Sequence, residues 1–255
     1  MIRIRKFLLT TSIFSIIAIA GCQERAKEAN GSDTGNQSEE TFTGIKKYFE
    51  GEKLTKEITF KDGIKEGLCN NYYDDGRLKR TIWYSNDLKE DTARWYYAEG
   101  MVYRATPYVN DKINGVQTKY YKNGRKQAEL PYKNSLRTSG LIEYYEDGRE
   151  VGNIPTITYE ISEQYYNRDG VLRVVLKLSN SSKNVNYYHG ALIDGAFDES
   201  LCKDITAASG MGYVELERDA AAGKGYVDVI AVYTTRFRNK EILTKRIKLP
   251  YSDLK

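Results

Sequence analysis

Histidine is almost missing from this 255-residue chain: His189 is the only one. Histidine-dependent nucleophilic catalysis therefore has a single candidate base. Its setting, Tyr187-Tyr188-His189-Gly190, offers no triad frame and suits a structural strand position. Cysteine is nearly as scarce, with Cys22, Cys69 and Cys202 too far apart for metal-ligand spacing. Cys69 and Cys202 fall in different candidate domains and read as two separate thiols rather than a disulfide. No apolar run is long enough for an ordinary spanning helix. Charge of one sign is lacking too: 39 basic residues meet 35 acidic ones and are scattered rather than massed, which is no footprint for nucleic acid. Carboxylates cluster in turns such as Asp74-Asp75 and Glu146-Asp147, where local hydrogen bonding accounts for them, and nothing favours a glycosidase pair. Ala220 to Gly225 resembles a phosphate loop only superficially: it lacks the first glycine and precedes a strand. No cofactor, metal or enzymatic activity is expected.

The N-terminus carries an export pattern. Arg3, Arg5 and Lys6 precede the apolar stretch Phe7 to Ala20. It ends in Ile19-Ala20-Gly21-Cys22, which resembles the lipobox of bacterial lipoproteins. The resemblance implies cleavage before Cys22 and acylation there, with residues 1–21 as signal peptide. The alternative is a plain signal peptide with an incidental cysteine. Two or more acyl chains anchor a protein stably, so membrane attachment through Cys22 is expected, without spanning. Gln23 after the cysteine favours the outer membrane by the sorting rule for such lipoproteins. Losing the signal leaves 36 basic against 35 acidic groups. Residues 22–41 are polar and read as a flexible tether.

The most informative feature is a fixed step of 24 residues. Tyr72-Tyr73-Asp-Asp-Gly76 recurs as Tyr96-Tyr97-Ala-Glu-Gly100, Tyr120-Tyr121-Lys-Asn-Gly124 and Tyr144-Tyr145-Glu-Asp-Gly148. Phe60, Tyr84, Tyr108 and Tyr132 keep the same step, and Gly67, Asp91, Gly115 and Ser139 follow it in part. Asp75-Gly76, Asn123-Gly124 and Asp147-Gly148 suit a two-residue primed turn, Glu99-Gly100 less well, and a second turn falls near Asp62-Gly63, Asn86-Asp87, Asn110-Asp111 and Asn134-Ser135. Two turns and two strands per unit predict a β-hairpin repeat array over residues 42–154. One tyrosine of each doublet should face each side of the sheet. The column Thr59, Trp83, Pro107, Pro131 should sit at a bulge or where neighbouring strands splay apart, because proline donates no ladder hydrogen bond.

These motifs, the YY-x-[DN]-G-[RK] turn and the PY-x-N element, resemble the bacterial MORN-repeat variant, a family often labelled antitoxin-like. The resemblance covers residues 42–154 and implies a hairpin array with a non-catalytic interaction role. Met101 after Gly100 and Asp91 in the glycine column depart from the pattern.

From residue 155 the step stops but strand signals continue. Thr156–Tyr166 and Val171–Ser179 read as a hairpin around Asn167–Gly170, with Leu172, Val174, Leu176 and Leu178 on one face. Further strands are expected at 185–193, 213–216, 226–234 and 241–250, with a short helix or loop at 198–208. Such a succession predicts an immunoglobulin-like β-sandwich over residues 155–255.

These readings together predict an all-β envelope lipoprotein that binds a protein or glycan partner, or acts as a scaffold, through the aromatic face of its repeats. The candidate contact residues are Trp83, Trp95, Tyr73, Tyr97, Tyr121 and Tyr145. The tryptophans are unmatched in their columns, so the repeat does not require them. The doublets have a competing reading, in which they only hold the array together. The alternative function is an antitoxin or immunity protein acting on a toxin at the cell envelope.

Overall fold

A computed structural model describes residues 41–219 and 223–254. The expected signal peptide, Cys22 and all but the last residue of the expected tether lie outside the described residues. No helix among them is long and apolar enough to cross a membrane. Residues 40–255 form one compact unit.

The first part is an antiparallel meander. Its strands are β1 (Gly44–Glu50), β2 (Lys53–Lys61), β3 (Ile64–Tyr72), β4 (Leu78–Ser85), β5 (Leu88–Tyr96) and β6 (Val102–Val109). They continue as β7 (Lys112–Ile113), β8 (Gly115–Tyr120), β9 (Lys126–Lys133), β10 (Leu136–Thr138) and β11 (Ile142–Glu143). Hairpins follow in chain order, so the 24-residue step is two strands of one sheet.

The two turn types share the work differently from the expectation. Asn86-Asp87, Asn110-Asp111 and Asn134-Ser135 have positive φ at both residues, as does Asp62-Gly63, so these are the two-residue primed turns. At the doublets only the glycine is left-handed, with φ 81° at Gly76 and Gly124. There Gly76 N–H donates to the Tyr73 carbonyl at 2.9 Å and Tyr73 N–H to the Arg77 carbonyl at 2.8 Å. That is a three-residue hairpin loop closed by a glycine bulge, which the register shift between Asn71 and Tyr72 records. The Asp75 carboxylate accepts from Arg77 N–H at 3.0 Å, holding the loop in this form.

The proline column lies beside irregular pairing, as expected. Opposite Thr59 and Trp83 the register shifts between Ile58 and Phe60 and between Thr81 and Trp83. Opposite Pro107 the partner strand breaks at Asn114, between β7 and β8. Gly115 has φ 111°, and a Cβ there would meet the Pro107 ring at 3.2 Å, so glycine is needed.

What holds the single sheet together is a column the repeat reading missed. Ile58, Cys69, Ile82, Ala93, Thr106, Gln117, Leu130 and Leu141 occupy successive strands or strand ends, and none is more than 8% exposed. Ile58 pairs with Cys69, Cys69 with Ile82, Ala93 with Thr106 and Gln117 with Leu130. Tyr84, Tyr108 and Tyr132 flank it, with Lys65, Lys89 and Arg137 over their rings at 5.3–5.4 Å.

The second part is a β-sandwich. Its strands are β12 (Ile157–Ser162), β13 (Val171–Leu178), β14 (Val185–His189), β15 (Ala196–Phe197), β16 (Lys203–Ile205), β17 (Ala207–Ala208), β18 (Met211–Glu217), β19 (Tyr226–Thr234) and β20 (Lys240–Lys248). The sheets run β12-β13-β18-β17 and β16-β14-β19-β20, an immunoglobulin-like order. Leu172, Val174, Leu176 and Leu178 are all buried against Tyr187, Val229 and Ile247. Where a plain turn was expected at 167–170, one helical turn, α1 (Tyr166–Asp169), stands, closed by left-handed Gly170. The Tyr166 ring stacks on Tyr251 at 3.6 Å and explains that turn. Residues 198–208, expected as a short helix or loop, hold a short 3-10 turn and two short strands.

The two parts join through shared pairing. β15 adds to the array sheet at β10, with Arg137 opposite Phe197. Buried Glu241 accepts from the N–H groups of Gly140 at 3.1 Å and Leu141 at 2.8 Å. Buried Glu143 accepts from Asn239 Nδ2 at 2.6 Å and Thr235 Oγ1 at 2.7 Å, while Asn239 Oδ1 accepts from Lys119 Nζ at 2.6 Å. Every donor there meets an acceptor, which is what makes burying two carboxylates tolerable.

Candidate contact surface

The expected contact residues do not form one patch. Trp95 pairs with Arg80 and Arg104, on the face that carries the buried column. The Arg104 guanidinium lies over its indole at 4.0 Å. Trp83 pairs with Leu68 and Glu90, one residue out of phase with Ile82, and so points to the opposite face. It is 46% exposed.

The second tyrosines of the doublets act as ties between repeats. The hydroxyls of Tyr73, Tyr97 and Tyr121 donate to the carbonyls of Tyr96, Tyr120 and Tyr144 at 2.6, 2.9 and 2.7 Å. Their rings carry further partners: Lys79 over Tyr73 at 5.5 Å, and Tyr103 and Lys122 beside Tyr97 at 5.2 and 5.7 Å. Burial raises the Tyr121 phenol above its ordinary pKa. Tyr145 has no following repeat to tie, and instead meets the Phe237 ring edge-on at 6.1 Å with Arg236 at 5.2 Å.

The first tyrosines split into two kinds. Tyr72 and Tyr144 donate to Glu57 and Glu129, fifteen residues back, at 2.5 and 2.6 Å. The hydroxyl bond to Tyr72 comes first among the causes that lower the Glu57 pKa, and Lys126 then Tyr144 do the same for Glu129. Fifteen residues before Tyr96 and Tyr120 stand Thr81 and Ala105. The Tyr96 and Tyr120 hydroxyls have no hydrogen-bond partner among the described residues.

The Trp83 face carries a stripe that sequence reasoning only half saw. Trp83 lies across from Leu68, and Val116 across from Pro131; Leu68 and Val116 are 41% and 49% exposed. Thr92 lies across from Pro107. In the middle repeats the small Ala105 opens a groove of about 470 Å³, walled by Thr92, Pro107, Val116, Thr118 and Tyr120. The prolines were visible as a column. Leu68, Thr92 and Val116 keep the same 24-residue step, one residue after the glycine column, and that phase was the available signal.

No group of three or more His, Cys, Asp or Glu side chains among the described residues could hold a metal ion. Cys69 and Cys202 are free thiols, the first buried. Burial raises the pKa of both.

The family model of the MORN repeat variant matches residues 113–134, the third hairpin unit. The neighbouring hairpin units keep the same 24-residue phase. A search of curated proteins returns no match.

Proposed function

We propose that this chain is a non-enzymatic envelope lipoprotein, lipid-anchored through Cys22, that binds a protein or glycan partner through its repeat array. The observation that carries the binding role is the stripe Leu68, Trp83, Pro107, Val116, Pro131 on a face where no second layer of the described residues lies. Monomeric proteins rarely leave contiguous apolar surface open without a use. A single-layer sheet needs only one face to fold, and here the column from Ile58 to Leu141 supplies that stability on the other side. The groove beneath Pro107 and Val116 has the size of a small ligand or side-chain pocket. Tyr96 and Tyr120 bring hydroxyls that are not used within the array, which suits a polar, hydroxyl-rich or peptide partner.

The test compares the intact protein with a Trp83→Ser, Val116→Ser variant. Partner capture from envelope preparations and binding to a glycan panel are measured beside circular dichroism and thermal melting. Lost capture with an unchanged melt supports the proposal. Unchanged capture by the variant overturns it.

A further inference from the structure

Folding gathers cations that the sequence scatters. Lys56, Arg80 and Arg104 keep the 24-residue step, so they occupy alternate strands, β2, β4 and β6. Strand pairing joins them into one continuous row. Lys56 lies across from Asn71, Asn71 from Arg80, Arg80 from Trp95, Trp95 from Arg104, and Arg104 from Lys119. Each stands two residues from a member of the buried column, so all six side chains share the column's face, opposite the Trp83 stripe. None of the six is fully buried. At about 4.8 Å per strand, Lys56, Arg80 and Arg104 follow one another at about 10 Å, and the row to Lys119 runs about 24 Å.

The charge of this row is not cancelled. Lys56, Arg80, Arg104 and Lys119 are in no ion pair among the described residues. Neutral oxygens hold two of them in place. Asn71 Oδ1 accepts from Arg80 Nε at 3.2 Å and Nη2 at 3.0 Å, and Asn239 Oδ1 accepts from Lys119 Nζ at 2.6 Å. Arg104 makes no hydrogen bond among the described residues, and its Nε is buried without one. Beyond Lys119 the pairing runs through Ala128 to Glu143, the one carboxylate of the row, which Asn239 and Thr235 hold. Glu57, next in the chain to Lys56, points to the other face. Asp91 is exposed and level with Tyr108, two rows from Trp95. The carboxylates at the strand ends are paired: Asp75 with Arg77 and Glu99 with Lys122 on one rim, Asp87 with Lys65 and Asp111 with Lys89 on the other. The charges that act on buried Cys69 are accordingly all cations, Lys56, Arg80 and Lys65.

We infer that this row binds an acidic polysaccharide, a single chain laid across the strands with its carboxylate or sulfate groups on Lys56, Arg80 and Arg104. The interval of about 10 Å between these cations is close to the length of a disaccharide, so a chain acidic at every second sugar meets one cation per repeat. Charge-assisted hydrogen bonds of this kind are the strong ones. Single-stranded nucleic acid fits less well, because it needs neighbouring open rings for its bases. Tyr48, across from Lys56, and Trp95 are four strands apart, about 19 Å, and Lys56 and Arg104 already lie over their rings at 5.2 and 4.0 Å. A broad anionic membrane surface would press the acidic turns of both rims against its headgroups. An extended peptide binds best along a strand edge, where backbone groups are offered, and this row crosses the strands.

The chain has two tryptophans, so a Trp83→Phe background makes Trp95 the sole indole reporter in the row. The mature protein is titrated by calorimetry and by Trp95 emission with polygalacturonate and with heparin. Neutral dextran, polyglutamate, oligothymidylate and phosphatidylglycerol vesicles serve as comparisons. Saturable binding of at least one acidic polysaccharide, with the same affinity by both readouts and weaker at higher salt, is the expected result. The Lys56→Gln, Arg80→Gln variant should bind about tenfold more weakly. Arg80→Lys should retain most of the affinity, and Arg94→Gln, on the opposite face beside Trp95, should retain all of it. Circular dichroism and thermal melting confirm that each variant folds, and Lys56→Gln alone carries the comparison where the double variant does not. Equal affinity in the wild type and the Lys56 variants overturns the inference. So does binding that leaves Trp95 emission unchanged, an equal loss in Arg94→Gln, or tighter binding of any comparison ligand.

Discussion

Trp95 and Arg104 stand opposite each other on β5 and β6, the guanidinium carbon 4.0 Å from the centre of the indole. Arg104 Nε is buried without a hydrogen-bond partner. The aromatic face is what compensates it, as a partly desolvated cation over an aromatic ring gains about 2 kcal/mol. Trp95→Ala should therefore destabilise the protein by about 2 kcal/mol or more, and Arg104→Lys by about 1 kcal/mol, because an ammonium does not stack in the same way. Trp83→Ala, on the exposed face, should stay within about 0.5 kcal/mol of wild type. Urea unfolding of the three variants checks the order; a Trp83 effect equal to that of Trp95 would contradict the assignment of faces.

The hydroxyl ties predict a graded series. Tyr73→Phe, Tyr97→Phe and Tyr121→Phe each remove one bond to a neighbouring repeat and leave the ring in place. Each should cost about 1 kcal/mol. Tyr145→Phe, whose hydroxyl ties no following repeat, should cost less. Thermal melts of the four single variants make the comparison.

The buried column changes character at Thr106 and Gln117, whose side chains hydrogen-bond at 3.0 Å. Both are buried, at 1% and 8% exposure. Thr106→Val alone leaves the Gln117 amide unsatisfied and should cost about 1–3 kcal/mol. Adding Gln117→Leu should recover most of that loss, since Ile82 and Leu130 hold the same column with apolar side chains. A double-mutant cycle measures it, and strictly additive losses would rule the pairing out as the reason.

Acid titration should show opposing contributions. Burial raises the Glu241 pKa, and Glu143 adds to the rise against the two backbone donors. Its protonated form is favoured in the folded state, so its contribution grows as pH falls through that raised value and levels off below the unfolded one. Glu57 and Glu129 are shifted down. Their contribution is present above the unfolded carboxyl pKa and is lost as pH falls through their folded values. Melting temperature against pH should lose its mildly acidic gain in Glu241→Gln and its steeper acid loss in Glu129→Gln.

Much of the array was legible because its period is a property of the chain alone. Glycines and Asn-Asp pairs mark the turns, and Pro107 and Pro131 mark places where the neighbouring strand is interrupted. Turn type was not legible at Asp75-Gly76: the choice between a two-residue and a three-residue loop depends on a carbonyl bond from Arg77 across the bulge. The column from Ile58 to Leu141 escaped notice because it mixes apolar, small and polar residues. Only its position between two flanking rows makes it an interior. The two tryptophans were grouped by type, and strand parity sends them to opposite faces. Contacts such as Glu241 with Leu141, 100 residues apart, have no local signature at all.

The sheet has two unlike ends. At β10 the chain's own β15 pairs with the edge, and a buried network stands behind it. At β1 the outer edge has no neighbour among the described residues. Loss of structure should therefore proceed directionally, one hairpin at a time from Gly44 onward, as a zip opens from its free slider. A protease or a mechanical load acting from the N-terminal side would shorten the molecule by whole repeats long before it reached the sandwich.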